Sequence, residues 1–499
     1  LRAGRYAEAI ALARNAPGGG GGAAARTLVR ALAETGSYPE AESAARAAAA
    51  TSPDLLVDLG QVLAARGERA AADSAFVLAL ARAPGSRLVA RLERARLQWQ
   101  RGAKDSARAA FRAVHAAAAS AADARSLVAA GDAARFLGSE DPGLFKDALR
   151  LYDRAAALDG TDPLPRLRAG ELFLEKYNGE DAQQSFREVL GRNPRQPDAL
   201  VGMARVLEFD ARPGAAQSAR QALATNPRHV GAHLLLARLA LENEDYAAAE
   251  KEVSEALAVN VASLEALAVL GATRYLHGDP LGLEAAWRRA SALDPRYADF
   301  FTTAAELGVR GRQYGGAVEL ARRALALDST NAAALGVLGV NLLRQGDMAG
   351  GRAALEKAFA RDPYNVWYKN TLDLLDQLKT YRETRTADFQ LVVSSRESQL
   401  LAPYAGELAE EAYHTLATRY GYRPSTPVRL EIYPREADFS VRTVGLVGLG
   451  ALGVTFGRVV AMDSPGSRER GDFNWGSTLW HELAHVFHLG MTDARVPRW

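Results

Sequence analysis

The chain has 499 residues, 61 basic and 59 acidic side chains, and no cysteine. The lack of thiols excludes disulfide scaffolds, thiolate metal sites and cysteine nucleophiles, and the near-balance of charge argues against a dedicated polyanion binder. At roughly 150 residues per domain the length suggests about three domains, unless the chain is a repeat array. Seven of the basic residues are Lys and 54 are Arg, a skew that, beside so much Ala and Gly, reads as a GC-rich bacterial genome. No stretch reaches the roughly 18 apolar residues of a membrane span; Thr443 to Gly457 comes nearest and is too glycine-rich.

In chain order, the run Gly18 to Gly22 interrupts an Ala-rich helical pattern and is expected to loop out. From Leu55 to Pro84 the pattern carries Leu59-Gly60, Gly67, Ala72, Phe76, Ala79 and Pro84. Extra residues around Ser139 to Phe145 make one junction irregular. Pro194, Pro227, Pro295 and Pro363 then close successive segments, with Val261 and Ser329 filling the gaps, at a spacing of 33 once and 34 thereafter. A small residue stands 24 before the closing position at Gly170, Ala237, Gly271, Ala305 and Gly339. Another stands 12 before it at Ala182, Ala215, Ala249, Ala317 and Gly351. Paired antiparallel helices pack closely where small residues meet, so Gly60 is expected against Ala72. Phe76, Phe111, Tyr152 and Phe186 are expected to fill the gap to the next pair. Gly36, Gly67, Gly102 and Gly346 suit an inter-helix turn with positive φ, and the closing Pro stops the second helix.

These offsets resemble the tetratricopeptide repeat (TPR). The resemblance implies a mainly α protein, a right-handed α-solenoid of about ten repeats over residues 1–368, followed by a capping helix and linker over 369–387. It also implies a protein or peptide partner in the groove lined by the first helix of each pair, with no nucleic acid. The clamp that would hold acidic chaperone tails is missing, because the groove positions read Leu234, Arg238, Ala268, Ala272, Thr302 and Glu306.

After Asn370 the period is lost. Thr371 to Glu383 reads as a charged helix, Phe389 to Val393 as a strand, and Glu397 to Tyr420 as a helix ended by Gly421 and Pro424. Val428 to Tyr433 alternates as a second strand and Val454 to Met462 as a third, after a Gly-rich bend. A helix is expected from about Ser477 to Leu489, with Gly490 at its C′ position. Strands and helices together suggest a small α+β domain over 388–499.

That last helix contains Trp480-His481-Glu482-Leu483-Ala484-His485. Histidines four apart project about 40° apart and one turn along, so both can reach one metal, as in the HExxH motif of zincins. His481 and His485 are the candidate Zn2+ ligands and Glu482 the candidate general base, next to a water whose pKa zinc lowers towards about 7. Leu479, Leu483, Val486 and Phe487 supply a hydrophobic flank. His488 lies about 10.5 Å along the axis from His481 and is expected outside the ligand set. His488 and Met491, where a metzincin needs Gly and His, exclude that branch.

The run from Gly476 to Trp499 resembles the peptidase MA-like family of gluzincins. The resemblance covers about Asp388 to Trp499 and implies a third ligand, a Glu, a few residues after Pro497-Arg498-Trp499. The chain as given ends before it, so this piece is expected to bind zinc weakly and to cleave nothing. Gly448-Leu449-Gly450-Ala451-Leu452-Gly453 matches the dinucleotide fingerprint GxGxxG, but a β-type run follows where that fold needs a helix. An edge strand near Val454, Phe456 and Val459 is expected to pair with extended substrate. Arg468-Glu469-Arg470 reads as a solvated loop. The sequence therefore points to a zinc metallopeptidase with a TPR interaction module, or to a non-catalytic TPR adaptor with a vestigial zincin domain.

Overall fold

A computed structural model describes residues 1–16, 21–469 and 473–494. The expected loop at Gly18 to Gly22 falls partly outside the described residues, and Gly21 already opens a helix, Gly21–Glu34. The chain divides into two compact units, Leu1–Phe300 and Phe301–Trp499. Among the described residues no helix is long and apolar enough to cross a membrane.

The first unit is a run of antiparallel helix pairs, such as Leu55–Ala65 with Arg69–Arg82 and Leu164–Glu175 with Gly179–Arg192. Their packing adds one detail to the sequence reading. A Cβ on Gly60 would fall inside the envelope of the Phe76 ring, while the equivalent small residues Gly339 and Gly351 meet backbone to backbone. The same seat recurs with Gly131 under Tyr152 and Gly271 under Phe300, while Phe186 sits between Gly170 of its own pair and Gly202 of the next. Each ring is wholly buried, so the aromatic position works within a pair as well as between pairs.

The helix ends reveal a signal that the closing prolines obscured. Asn193, Asn226, Asn260 and Asp294 each precede the closing position, and each side chain accepts the N–H two residues on, at 2.8–3.0 Å. This Asx turn ends the helix even where Val261 replaces Pro. The same side chains meet the early inter-helix turns about 190 residues back. Gly4, Gly36, Gly67 and Gly102, all at φ between 74° and 79°, leave no room for a Cβ beside Asn193, Asn226, Asn260 and Asp294 respectively. Tyr6 Oη accepts from Asn193 Nδ2 at 3.0 Å, and Arg69 donates to the Ala262 carbonyl at 2.7 Å. Successive turns of the array therefore touch.

In the second unit the repeats continue through Tyr314–Leu327, Ala332–Arg344, Met348–Arg361 and Val366–Leu378. The charged helix expected over Thr371 to Glu383 is the second half of Val366–Leu378 and stops there, because Tyr381–Arg385 is a strand. Its residues pair antiparallel with the next strand, which decides the conformation. The sheet contains β1 (Tyr381–Arg385), β2 (Phe389–Ser394), β3 (Val428–Tyr433), β4 (Gly453–Thr455) and β5 (Val459–Asp463), in the order β1-β2-β3-β5-β4. β2, β3 and β5 run parallel, and β1 and β4 are antiparallel edges. The single strand expected over Val454 to Met462 is thus a hairpin, turning at Phe456 to Arg458 where Gly457 has φ 84°. The helices are α1 (Ser398–Tyr420), α2 (Glu436–Val444, hidden in the sequence by its glycine-rich sequel) and α3 (Trp475–Met491). Gly421 ends α1 at φ 64°, as expected. Gly490 lies inside α3 and is not its C′ residue.

Period-two alternation assigns the sheet's two faces. Leu391, Val393, Val428, Leu430, Ile432, Val460 and Met462 point to the face covered by α1 and α3. Tyr433, Val459 and Ala461 point to the other, against Phe439 of α2 and Leu374 of the last repeat helix. On that second face Glu431 is wholly buried. It accepts from Arg429 Nε at 2.7 Å, Arg442 Nε at 2.6 Å and Tyr433 Oη at 2.9 Å. Burial alone would raise its pKa; Arg442 and Arg429 overcome that and hold it below the ordinary carboxylate range. Arg442 also donates to the Leu343 carbonyl at 3.0 Å, and Arg344 to the Thr443 carbonyl at 3.4 Å, joining α2 to the repeat helix Ala332–Arg344.

Two stability predictions follow from this packing. Gly67 and Gly278 share φ near 78°, but only Gly67 has a neighbour in the way of a Cβ. Gly278→Ala should cost the left-handed penalty, about 1–2 kcal/mol. Gly67→Ala should cost visibly more in thermal denaturation, and equal losses would show that the turns do not touch. Glu431→Gln breaks a buried ion cluster and should cost about 3–5 kcal/mol in urea unfolding. Because the folded pKa of Glu431 is depressed, its contribution is present above the unfolded carboxylate pKa and disappears as pH falls through the folded value. The gap between wild type and variant should therefore close only in acid, below the ordinary carboxylate range.

Candidate metal centre

α3 starts at Asn474, whose side chain accepts the Ser477 N–H at 3.1 Å, a normal N-cap. Leu479, Leu483, Val486 and Phe487 are buried under the sheet with Tyr413 of α1. This fixes the helix's rotation and turns His481 and His485 outward. Their Nε2 atoms lie 3.1 Å apart, with the rings nearly perpendicular at 89°. Two nitrogens bound tetrahedrally at about 2.05 Å stand roughly 3.3 Å apart, so the pair fits one zinc ion. The His485 pKa is lowered by burial first and then by His481, His488 and Arg312, which favours the neutral ring that metals bind. His488 is exposed and hydrogen-bonded to Tyr420 Oη through Nε2 at 3.2 Å, with its ring 6.0 Å from that of His485. It belongs to that tyrosine contact.

Glu482 lies on the side of α3 facing β4 and is 5% exposed. Its Oε2 accepts from Thr455 Oγ1 at 2.7 Å, and the same hydroxyl is 2.9 Å from the Glu482 carbonyl. A Cβ on Gly453 would come within 2.6 Å of Glu482 Cγ, so only glycine fits opposite this carboxylate. Burial raises the Glu482 pKa, against smaller lowering effects of Thr455, His481 and Arg312.

The edge strand contributes differently from what the sequence suggested. β4 is the free edge of the sheet, but Val459 is on the interior strand β5 and 1% exposed, and Phe456 is 4% exposed; both lie in the core of the far face. Val454 packs towards that core too. The residues of β4 that face α3 are Gly453 and Thr455, which alternation would reveal only once the hairpin is known. The GxGxxG segment follows helix α2 and leads into β4, so it lacks both the strand before and the helix after that a dinucleotide needs. Arg468 is not solvated; it donates to Asp463 at 2.8 Å and to the Ala451 carbonyl at 3.1 Å. Arg470 and Pro497-Arg498-Trp499 lie outside the described residues.

Sequence reasoning missed a second constellation. Asp388 and Glu410 place carboxylate oxygens 3.6 and 3.5 Å from His414 Nε2, forming a group of metal-capable side chains at the β2 and α1 junction. The i, i+4 spacing of Glu410 and His414 was its only trace in the sequence.

In the repeats, Leu234, Ala268, Ala272 and Thr302, read as groove positions, are buried between helices. In the first unit a recess of about 570 Å³ along first helices is lined by Arg96, Arg135 and Arg168 against Asp132, Glu171 and Glu175. Arg96 and Arg168 both pair with Asp132, at 2.6 and 3.3 Å, and Arg135 pairs with Glu171 and Glu175 at 2.9 and 2.7 Å. The wall neutralises its own charge.

Thr455→Val should leave the Glu482 carboxylate buried without its donor, at a cost of about 1–3 kcal/mol. Thr455→Ser should recover most of it in urea unfolding of the metal-free protein. Equal stability of all three would show that the hydroxyl does not serve Glu482.

A family model described as tetratricopeptide repeat matches residues 212–265 and 302–366. No curated protein matches the chain. Among solved structures, a tetratricopeptide repeat protein from Parabacteroides merdae is 18% identical with TM-score 0.35, over 51% of this chain and 98% of its own. Yeast Tom70 is 13% identical with TM-score 0.38, over 75% and 85% respectively. PilF of Pseudomonas aeruginosa is 18% identical with TM-score 0.28, over 42% and 95%. The helix pairs at 212–265 and 302–366 are tetratricopeptide repeats, and the chain is a mainly α, TPR-like solenoid with a small α+β region after it.

Proposed function

We propose that the protein is a zinc-dependent peptidase of gluzincin type whose repeats engage a protein or peptide partner. The observation that carries this reading is the convergence of His481 and His485 Nε2, 3.1 Å apart, beside a buried Glu482. In this reading His481 and His485 hold Zn2+, which when bound supplies Lewis-acid polarisation of the substrate carbonyl and lowers the pKa of an attacking water. Glu482 takes a proton from that water as its oxygen bonds to the carbonyl carbon and the π pair moves to the carbonyl oxygen. The C–N bond then breaks, and Glu482 returns the proton to the leaving amine. Thr455 keeps one carboxylate oxygen of Glu482 in place, and Gly453 leaves room for it.

The rival reading is a TPR adaptor without catalysis. It is favoured by a specific finding, since the family match lies wholly within the repeats. Both readings share the interaction module and differ over the fate of residues 388–499.

Zinc content and peptide cleavage by the full-length protein separate them. The enzyme reading expects about one zinc per chain, lost in the His481→Ala/His485→Ala double variant. It expects cleavage to fall roughly 10²–10⁴-fold in Glu482→Gln with zinc retained. Undiminished cleavage by Glu482→Gln removes the general base, and a zinc-free inert wild type establishes the adaptor.

A further inference from the structure

Away from the HExxH helix, the described residues bring Asp388, Glu410 and His414 together at the turn between β1 and β2. β1 ends at Arg385 and β2 starts at Phe389, and Thr386 closes the turn by donating its N–H to the Phe389 carbonyl at 3.0 Å. Asp388 is the last residue of that turn, and its own carbonyl accepts the Val428 N–H at 2.8 Å. α1 passes over the turn with Gly406, Glu410 and His414 four residues apart, and hence on one face. A Cβ on Gly406 would stand 3.2 Å from the Thr386 side chain, so the helix lies closer to the turn than a larger residue comfortably permits.

Asp388 Oδ2 and Glu410 Oε2 stand 3.6 and 3.5 Å from His414 Nε2, and the three ligand atoms lie within 4.8 Å of one another. Both separations from the nitrogen are too long for hydrogen bonds. They come within a few tenths of an ångström of the roughly 3.3 Å between two ligands of one tetrahedral zinc ion. His414 is half-exposed and has room to close the difference. The Glu410 carboxylate is already aimed: its Oε1 accepts the Asp388 N–H at 2.8 Å, while Oε2 is shut off from solvent with no hydrogen-bond partner. A buried carboxylate oxygen without a donor is costly, and a cation shared with Asp388 and His414 supplies what it lacks. One imidazole and two carboxylates suit a zinc ion whose fourth place is left to water. An imidazolium would also neutralise the two carboxylates, but only the neutral ring has a lone pair for a metal.

We propose that Asp388, Glu410 and His414 form a second zinc site, which ties the turn between β1 and β2 to α1. It does not depend on the peptidase reading, since none of its ligands comes from α3. Three ligands and a half-exposed imidazole hold an ion more weakly than a closed set of four, so the site fills when zinc is supplied and empties on dialysis. Zinc that survives dialysis still reports His481 and His485. α1 packs on α3 through Tyr413, whose ring is 5.4 Å from that of Phe487. A metal that fixes the adjacent His414 therefore steadies the helix on which α3 rests.

Full-length His481→Ala/His485→Ala protein, dialysed against chelator and then titrated with zinc chloride in a calorimeter, isolates this site. The expected results are about one zinc per chain and a melting temperature that rises with zinc concentration. Adding Glu410→Gln keeps the acceptor for the Asp388 N–H and should weaken zinc binding by more than roughly 10-fold. Adding His414→Lys keeps a cation between the carboxylates but removes the ring nitrogen. It should abolish both zinc binding and the thermal shift while the metal-free melting temperature stays nearly the same. Zinc uptake with unchanged Kd in both variants is binding elsewhere on the surface and overturns the proposal, as does a background protein that takes up no zinc. Binding without a thermal shift overturns the tie between turn and helix. Peptide cleavage by the wild type tests the HExxH centre alone, so either reading can fail without the other.

Discussion

The second unit depends on one buried carboxylate. Glu431 sits at the centre of the sheet on the strand β3, with no exposure, and three donors converge on it. One of them, Arg442, continues to a carbonyl at the end of the repeat helix Ala332–Arg344. An ion cluster of this kind adds little net stability over an apolar replacement, but it imposes geometry because each partner is costly to leave unpaired. Here the geometry is the docking of the last repeats on one sheet face. That docking brings Tyr314 to Phe456 and the neighbouring turn to the end of β4. The opposite face is thereby free to carry α1 and α3 on an ordinary apolar core, and the histidines emerge from that core's rim.

Much of this was legible in the sequence, and the reasons differ by element. The repeats announced themselves because each pair solves the same packing problem, so small and aromatic residues recur at fixed offsets. The contacts those residues make were less legible. Gly60 and Ala72 are both small, and nothing in the sequence says that the Phe76 ring also lies over the glycine. The helix stop was assigned to proline, but Asn260 before Val261 shows that the Asx side chain does the work. Proline drew attention because it is rare and rigid; asparagine is commonplace, and its role needs the hydrogen bond to be seen.

The candidate site divides in the same way. His481, Glu482 and His485 lie on one helix, where 3.6 residues per turn converts spacing into direction. Gly453 and Thr455 join them from β4, and no local period links those positions to α3. The misreading of β4 and β5 as one strand compounded this. A continuous strand from Val454 to Met462 hides the turn at Gly457, and with the turn hidden the side chains facing α3 cannot be told from those facing away. Val459 and Phe456 fall in a run that reads as an edge strand, but their apolar side chains are what the fold buries.

The surroundings of Glu482 bear on the choice between an enzyme and an adaptor. A carboxylate at 5% exposure is costly, and a protein that used α3 only to cover a sheet has no need of one there. An apolar residue would pack better, and the glycine opposite would then be a needless weakness in an edge strand. Instead the strand omits a side chain at Gly453 and spends a hydroxyl at Thr455, both on behalf of this carboxylate. Departures from the most stable choice on two separate elements, α3 and β4, coincide at one point. Sites that do chemistry gather such departures, because charge has to be held where folding alone would exclude it.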